Sequence, residues 1–256
     1  MDYQIAVKAN GVGTSWSWVK KVISLTKKEY WMFFMFFIIA FVISMILSAV
    51  PFLGLLNIPI GAITAGGYAY CAYKVDCGED VYIEDLFSGF RRRSWDYLKA
   101  LAVVSVAVVI ALIPTFILVG TFFAIGVNSQ ESFMAVTEQT VGIVLFIVSA
   151  LDAILLSLLM IVIMFIYSNA MVVIALYDFS VKESLKLSFE ACKKNYLAYI
   201  FYSFIWIVIL AIAALPLGLG LLALIPTTIC YSYVVCREVI TLEPSVEIKK
   251  DEEATA

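Results

Sequence analysis

The chain has 256 residues, of which 63% are apolar and 14% charged, with a formal net charge of −3 and no histidine. A soluble domain is roughly 45–50% apolar and about 25% charged, so this surplus rules out both a water-soluble fold of this length and intrinsic disorder. Without histidine, most hydrolase triads, the commonest zinc sites and the commonest general base are excluded as well.

The first predicted element is amphipathic. Trp18, Val19, Val22 and Ile23 make one apolar face, with Lys20, Lys21, Lys27 and Lys28 opposite or flanking it. Six stretches then approach the ~20 apolar residues that cross a bilayer. They run from about Tyr30 to Val50, Phe52 to Tyr73, Tyr97 to Ile125, within Val141 to Tyr177, Tyr196 to Leu215 and Leu217 to Val235. Turns at Pro51–Gly54 and Pro216–Gly220 predict tight helical hairpins for the first and last pairs. Pro51, Pro59, Pro114, Pro216 and Pro226 predict kinks or ends, and Gly54, Gly61, Gly66 and Gly67 predict close helix approach.

All 17 Lys and Arg fall before the first span, between the second and third, between the fourth and fifth, or after the sixth. The intervening loop, about Gly126 to Thr140, carries only Glu131 and Glu138. Positive charge is retained in the cytoplasm, so the pattern predicts a multi-pass inner-membrane protein with both termini cytoplasmic. Tyr30, Trp31, Tyr73, Trp95, Tyr97, Tyr177 and Tyr196 mark the same side, as interfacial aromatics do.

Within each inner segment the basic residues suit anionic headgroups, at roughly 1 kcal/mol each. The candidate headgroup ligands are Lys20, Lys21, Lys27, Lys28, Arg91, Arg92, Arg93, Lys193 and Lys194. An offset of 99 residues brings Asp96-Tyr97-Leu98 onto Asn195-Tyr196-Leu197. This predicts three parallel repeats, at about 11–78, 79–178 and 179–238, each an interfacial helix followed by a hairpin. They form one membrane domain, residues 1–242, followed by a disordered acidic cytoplasmic tail, 243–256.

Asp152 is the one clearly intramembrane acid, a costly placement that is often functional. At about 39 Å of helix from Asp178 it belongs near the outer boundary, where a structural carboxylate is the simpler role. The acids Glu79, Asp80, Glu84 and Asp85 suit a helix start. Cys71, Cys77, Cys192, Cys230 and Cys236 read as reduced packing residues. No cofactor or metal site is expected, and nothing points to nucleic acid.

Val50-Pro51-Phe52-Leu53-Gly54, Pro59, Gly66-Gly67 and Asp85-Leu86-Phe87-Ser88-Gly89-Phe90 resemble a bacterial family of uncharacterised six-helix inner-membrane proteins. That family is distantly similar to the membrane domain of some glycerophosphodiester phosphodiesterases. Glu183 to Phe189, Asn195, Pro216 to Gly220 and Pro226 resemble its second signature, with Ser168-Asn169-Ala170 departing where an Ala-Pro pair is common. The resemblance implies fold and location and supplies no catalytic residues. The expectation is therefore an all-α, six-span bundle without enzymatic activity. It would bind anionic cytoplasmic-leaflet lipid, or a membrane-protein partner or second copy. A small-solute or lipid transporter is the alternative, and an enzyme acting on lipid headgroups is the least favoured reading.

Overall fold

The computed structural model describes residues 3–128, 135–216 and 218–244. Glu131 and residues 245–256 of the expected tail lie outside the described residues.

The chain opens with β1 (Tyr3–Val7) and α1 (Thr14–Lys28), whose Trp18, Val19, Val22 and Leu25 are buried while its lysines stay exposed. Next come α2 (Tyr30–Ala49), a 3-10 turn at Leu53–Leu56 and α3 (Asn57–Cys77). Two short helices, α4 (Ile83–Leu86) and α5 (Ser88–Arg92), lead into the long α6 (Ser94–Asn128) and α7 (Ala135–Leu176). Helix α8 (Val181–Ala214) begins at a reciprocal cap, in which the Ser180 hydroxyl accepts from Glu183 N–H and the Glu183 carboxylate accepts from Ser180 N–H. Helices α9 (Leu219–Leu224) and α10 (Thr227–Val239) and strand β2 (Ile240–Pro244) complete the order.

Four helical segments are long and apolar enough to cross a membrane: Tyr30–Ala49, Ser94–Thr121, Phe146–Leu176 and Val181–Ala214. At most 17% of the apolar window is buried in any of them. So much bare apolar surface demands lipid rather than water, and the chain is a helical membrane-type protein. The segments expected as second and sixth spans differ from these four. Helix α3 is diluted by Asn57, Thr64, glycines and tyrosines and buries Ala62, Gly66, Gly67, Ala69 and Ala72 against protein. Pro226, which has no N–H to give, stands between α9 and α10, so the last stretch is two short helices.

The helices form two compact units. One comprises residues 3–101 with 165–244; the other, residues 102–164, is built from the remaining parts of α6 and α7. In the first, Ile63, Tyr97, Ala100, Met171 and Ile174 pack into a core. At Gly67 and Gly89 the backbones of α3, α4 and α5 meet so closely that an added Cβ would strike the Leu86 and Ile63 carbonyls, respectively.

Two features correct the all-α expectation. Strands β1 and β2 pair antiparallel, from Tyr3 opposite Pro244 to Val7 opposite Ile240. Glu243 and Pro244, expected in the disordered tail, are therefore the last residues of β2.

Three passages into long apolar helical segments share one backbone form. Glu29 (φ −132°, ψ 44°) joins α1 to α2, Arg93 (φ −145°, ψ 39°) joins α5 to α6, and Asn195 (φ −125°, ψ 18°) bends α8. Asn195 thus shares its backbone form with Arg93, three residues before the Asp96 onto which letter matching places it. After α2 and α8 the chain turns through a left-handed residue, Phe52 (φ 67°) and Gly218 (φ 79°) respectively. Each is followed by the same four residues, Leu53-Gly54-Leu55-Leu56 and Leu219-Gly220-Leu221-Leu222.

Candidate functional site

The junction residues hold neighbouring segments together. Arg93 donates through Nη1 to the Tyr177 carbonyl (3.1 Å), through Nη2 to the Phe179 carbonyl (2.6 Å) and through Nε to Asp96 Oδ2 (2.8 Å). It thereby satisfies carbonyls just past the C-terminus of α7, where a cation also suits the helix dipole. Asn195, buried, accepts from Asn10 N–H (2.6 Å) and donates to the Lys8 (2.9 Å) and Ala191 (3.0 Å) carbonyls. Asn10 in turn donates through Nδ2 to the Glu238 carbonyl (3.1 Å), tying the N-terminal arm to the end of α10.

The expected headgroup ligands divide by what they already hold. Arg93 is committed to protein, which removes it from the headgroup set. Lys21 pairs with Glu238, Lys194 with Glu190 and, at 3.8 Å, Arg91 with Glu84. Arg92 lies over the Tyr70 ring at 4.6 Å and Lys20 over Trp16 at 5.8 Å. Lys20, Lys27, Lys28, Arg92 and Lys193 are exposed and hold no carboxylate among the described residues. Of the acids, Asp85 bonds Lys74 (2.9 Å) and caps α4 at Tyr82 N–H, and its carboxylate raises the Lys74 pKa above the usual lysine value. Asp76 accepts from both Tyr233 and Arg237.

In the second unit, Thr115 Oγ1 donates to Asp152 Oδ2 at 2.8 Å. Asp152 thus has a partner on the facing helix, which sequence spacing gave no means of finding. Four cysteines are buried and Cys77 is exposed, and none of the five is in a disulfide.

A feature missed in the sequence is an aromatic chamber formed by α1, the end of α7 and α8. Phe165 lies 4.2 Å from Tyr199 between ring centroids, Trp18 lies 5.8 Å from Tyr202, and Tyr202 lies 6.2 Å from Trp206. Asn169 donates to Tyr199 Oη at 2.7 Å. Among the described residues, the buried side-chain polar atoms lacking a hydrogen-bond partner are Trp18 Nε1, Asn169 Oδ1, Tyr202 Oη and Trp206 Nε1. All belong to this one cluster, and an unpaired buried polar atom is costly enough to call for an explanation. Beside it lies an apolar cleft of about 450 Å³ walled by Phe165, Tyr202, Trp206 and Leu210, with α9 and the start of α10 opposite.

Fold and site together define a helical membrane-type protein with exposed basic residues on several helices and an aromatic cluster beside an apolar cleft. Compared with known protein families, with curated proteins and with solved structures, the chain finds no match in any of the three.

Proposed function

We propose that this is a non-enzymatic, multi-pass inner-membrane protein that binds anionic lipid on its cytoplasmic side. The observation that carries this reading is the set of unpaired cations, Lys27, Lys28, Arg92 and Lys193, contributed by three separate inner helices of one compact unit. Such cations at a bilayer surface attract anionic headgroups at roughly 1 kcal/mol each. The common backbone form at Glu29, Arg93 and Asn195 supports three repeated units, as does the recurring Leu-Gly-Leu-Leu after a left-handed residue. Pairing of β1 with β2 keeps both chain ends on one side and favours an even number of crossings, six in this reading. Kinship with the uncharacterised inner-membrane family belongs to the same proposal and rests on the signatures around Pro51 and Pro216.

Replacing Lys27, Lys28, Arg92 and Lys193 with glutamine should lower the phosphatidylglycerol retained by purified protein in native mass spectrometry by ~10-fold or more. Retention equal to wild type would refute the lipid-binding reading, and solute movement by the protein in liposomes would favour transport instead. Orientation has a separate test. Exposed Cys77 should react with an impermeant thiol reagent only in opened membranes. Ser129→Cys in a Cys77→Ser background, a position outside the described residues, should react on intact cells. Equal labelling of the two sites would reject the six-span arrangement.

A further inference from the structure

We infer that the small cavity where α3, α5, the start of α6 and the end of α7 meet receives a single phosphate group, bound by the Arg92 guanidinium and by the hydroxyls of Tyr97 and Ser88. This deepens the lipid-binding reading and rests on it for the source of the phosphate, which in a bilayer is a phospholipid headgroup.

The cavity holds about 180 Å³, and its polar lining is Tyr70, Ser88, Arg92, Arg93, Tyr97 and Asp178. All six belong to one compact unit. The volume is well below the ~300–1,000 Å³ of sites that enclose a whole small molecule, so the occupant is one compact group.

Tyr97 points to its chemistry. The residue is 2% exposed, and its hydroxyl has no hydrogen-bond partner among the described residues. Unlike the fully sealed polar atoms near Trp18, Tyr97 Oη keeps an opening, and the residue lines the cavity. Gly66 leaves room for this, since a Cβ there would take the space of the Tyr97 hydroxyl. The charges of Arg92 and Arg93 both act on that hydroxyl. A donor beside two guanidiniums calls for an anionic acceptor.

The charge balance leaves a place for one. Carbonyls at the end of α7 would repel an anion, but Arg93 takes up those of Tyr177 and Phe179. Asp178 is exposed and stands 3.8 Å from Arg93. Arg92 lies over the Tyr70 ring, and its guanidinium holds no carboxylate among the described residues. It is therefore the uncompensated cation of the cavity. Its fork on α5, with the hydroxyls of Ser88 and Tyr97, offers donors from two elements, which suits the divergent oxygens of a phosphate. Depth agrees, because Tyr97 stands in the first turn of α6, at the end of an apolar segment, where headgroups lie.

The test loads purified full-length protein with phosphatidylglycerol or with diacylglycerol of the same chains. The protein is exchanged into lipid-free detergent and weighed by native mass spectrometry. Tyr97→Phe removes a hydroxyl that no protein group uses, so it should melt with wild type. It should retain about 10-fold less phosphatidylglycerol, the effect of one hydrogen bond to a charged group. Arg92→Lys keeps the charge but loses the fork, and should lower retention as well. Diacylglycerol, which has no phosphate, should be retained equally by all three proteins. Phosphatidylglycerol retention unchanged in Tyr97→Phe overturns the inference, even where replacing Lys27, Lys28 and Lys193 with glutamine releases the lipid and the broader reading stands. A second arm titrates inorganic phosphate into delipidated protein by calorimetry. Phosphate bound by wild type and lost in Tyr97→Phe, with no phosphatidylglycerol retained, keeps the site and defeats its lipid source. Binding of neither defeats both.

Discussion

Gly67→Ala and Gly89→Ala should be the most damaging single-methyl changes in the protein, each costing about 3 kcal/mol or more. The added Cβ at Gly67 would meet the Leu86 carbonyl, and that at Gly89 the Ile63 carbonyl. Both obstacles are backbone, so no rotamer change relieves them. The elements would have to separate, uncovering a core in which Ile63 and Leu86 are buried. At a few degrees per kcal/mol for a chain of this size, the melting temperature should fall by about 10 °C. The buried thiols Cys71, Cys192, Cys230 and Cys236 supply the readout, because unfolding exposes them to a thiol-reactive dye in detergent. Gly61→Ala, on the same helix with open space around it, should leave the melt unchanged or slightly raised, as glycine within a helix carries an entropic penalty. A Gly67→Ala protein that melts with wild type would show that α3 and α4 do not meet as described.

Gly66-Gly67 was legible in the sequence as a point of close approach, although its partner was not. Small residues announce that backbones come near, whereas the identity of the neighbour depends on how distant segments return. The membrane character was legible because it is compositional, and four of the six apolar stretches are helices long enough to cross. The other two do not form single helices of that length and hydropathy. Tyrosines and glycines in α3 score as tolerable for lipid but serve packing here, and Pro226 divides the final stretch. The shared backbone bend was not legible in the letters, because it is made by Glu29, Arg93 and Asn195, three different residue types. The exposed lysines were legible because charge is read directly. The aromatic chamber was missed because Trp18, Phe165 and Tyr202 come from three helices far apart in sequence, and each alone is an ordinary core residue.

Asn195→Ala should cost about 3 kcal/mol and free the N-terminal arm. Its amide makes three hydrogen bonds of about 1 kcal/mol each, two of them to a segment more than 180 residues away. Alanine would tolerate the bend itself, so the loss should appear at what the amide holds. The Asn10 N–H and the Lys8 carbonyl lose their partner, and the arm keeps only strand pairing and the contacts of Asn10 and Lys8 with the end of α10. Hydrogen exchange at Asn10 should accelerate strongly, with the melting temperature lower by about 6–12 °C. Asn10→Ala provides the contrast. It deletes the bond to Glu238 but leaves its own backbone N–H on Asn195, so it should cost only about 1 kcal/mol. Asn195→Asp should be at least as harmful as alanine, since a carboxylate still accepts from Asn10 but repels the two carbonyls to which the amide donated. The order Asp no better than Ala at 195, and both well below Asn10→Ala, separates a junction that clamps both chain ends from one that merely bends a helix. If Asn10→Ala proves as damaging as Asn195→Ala, the clamp lies in the arm and the bend at Asn195 is only a passage between two helices.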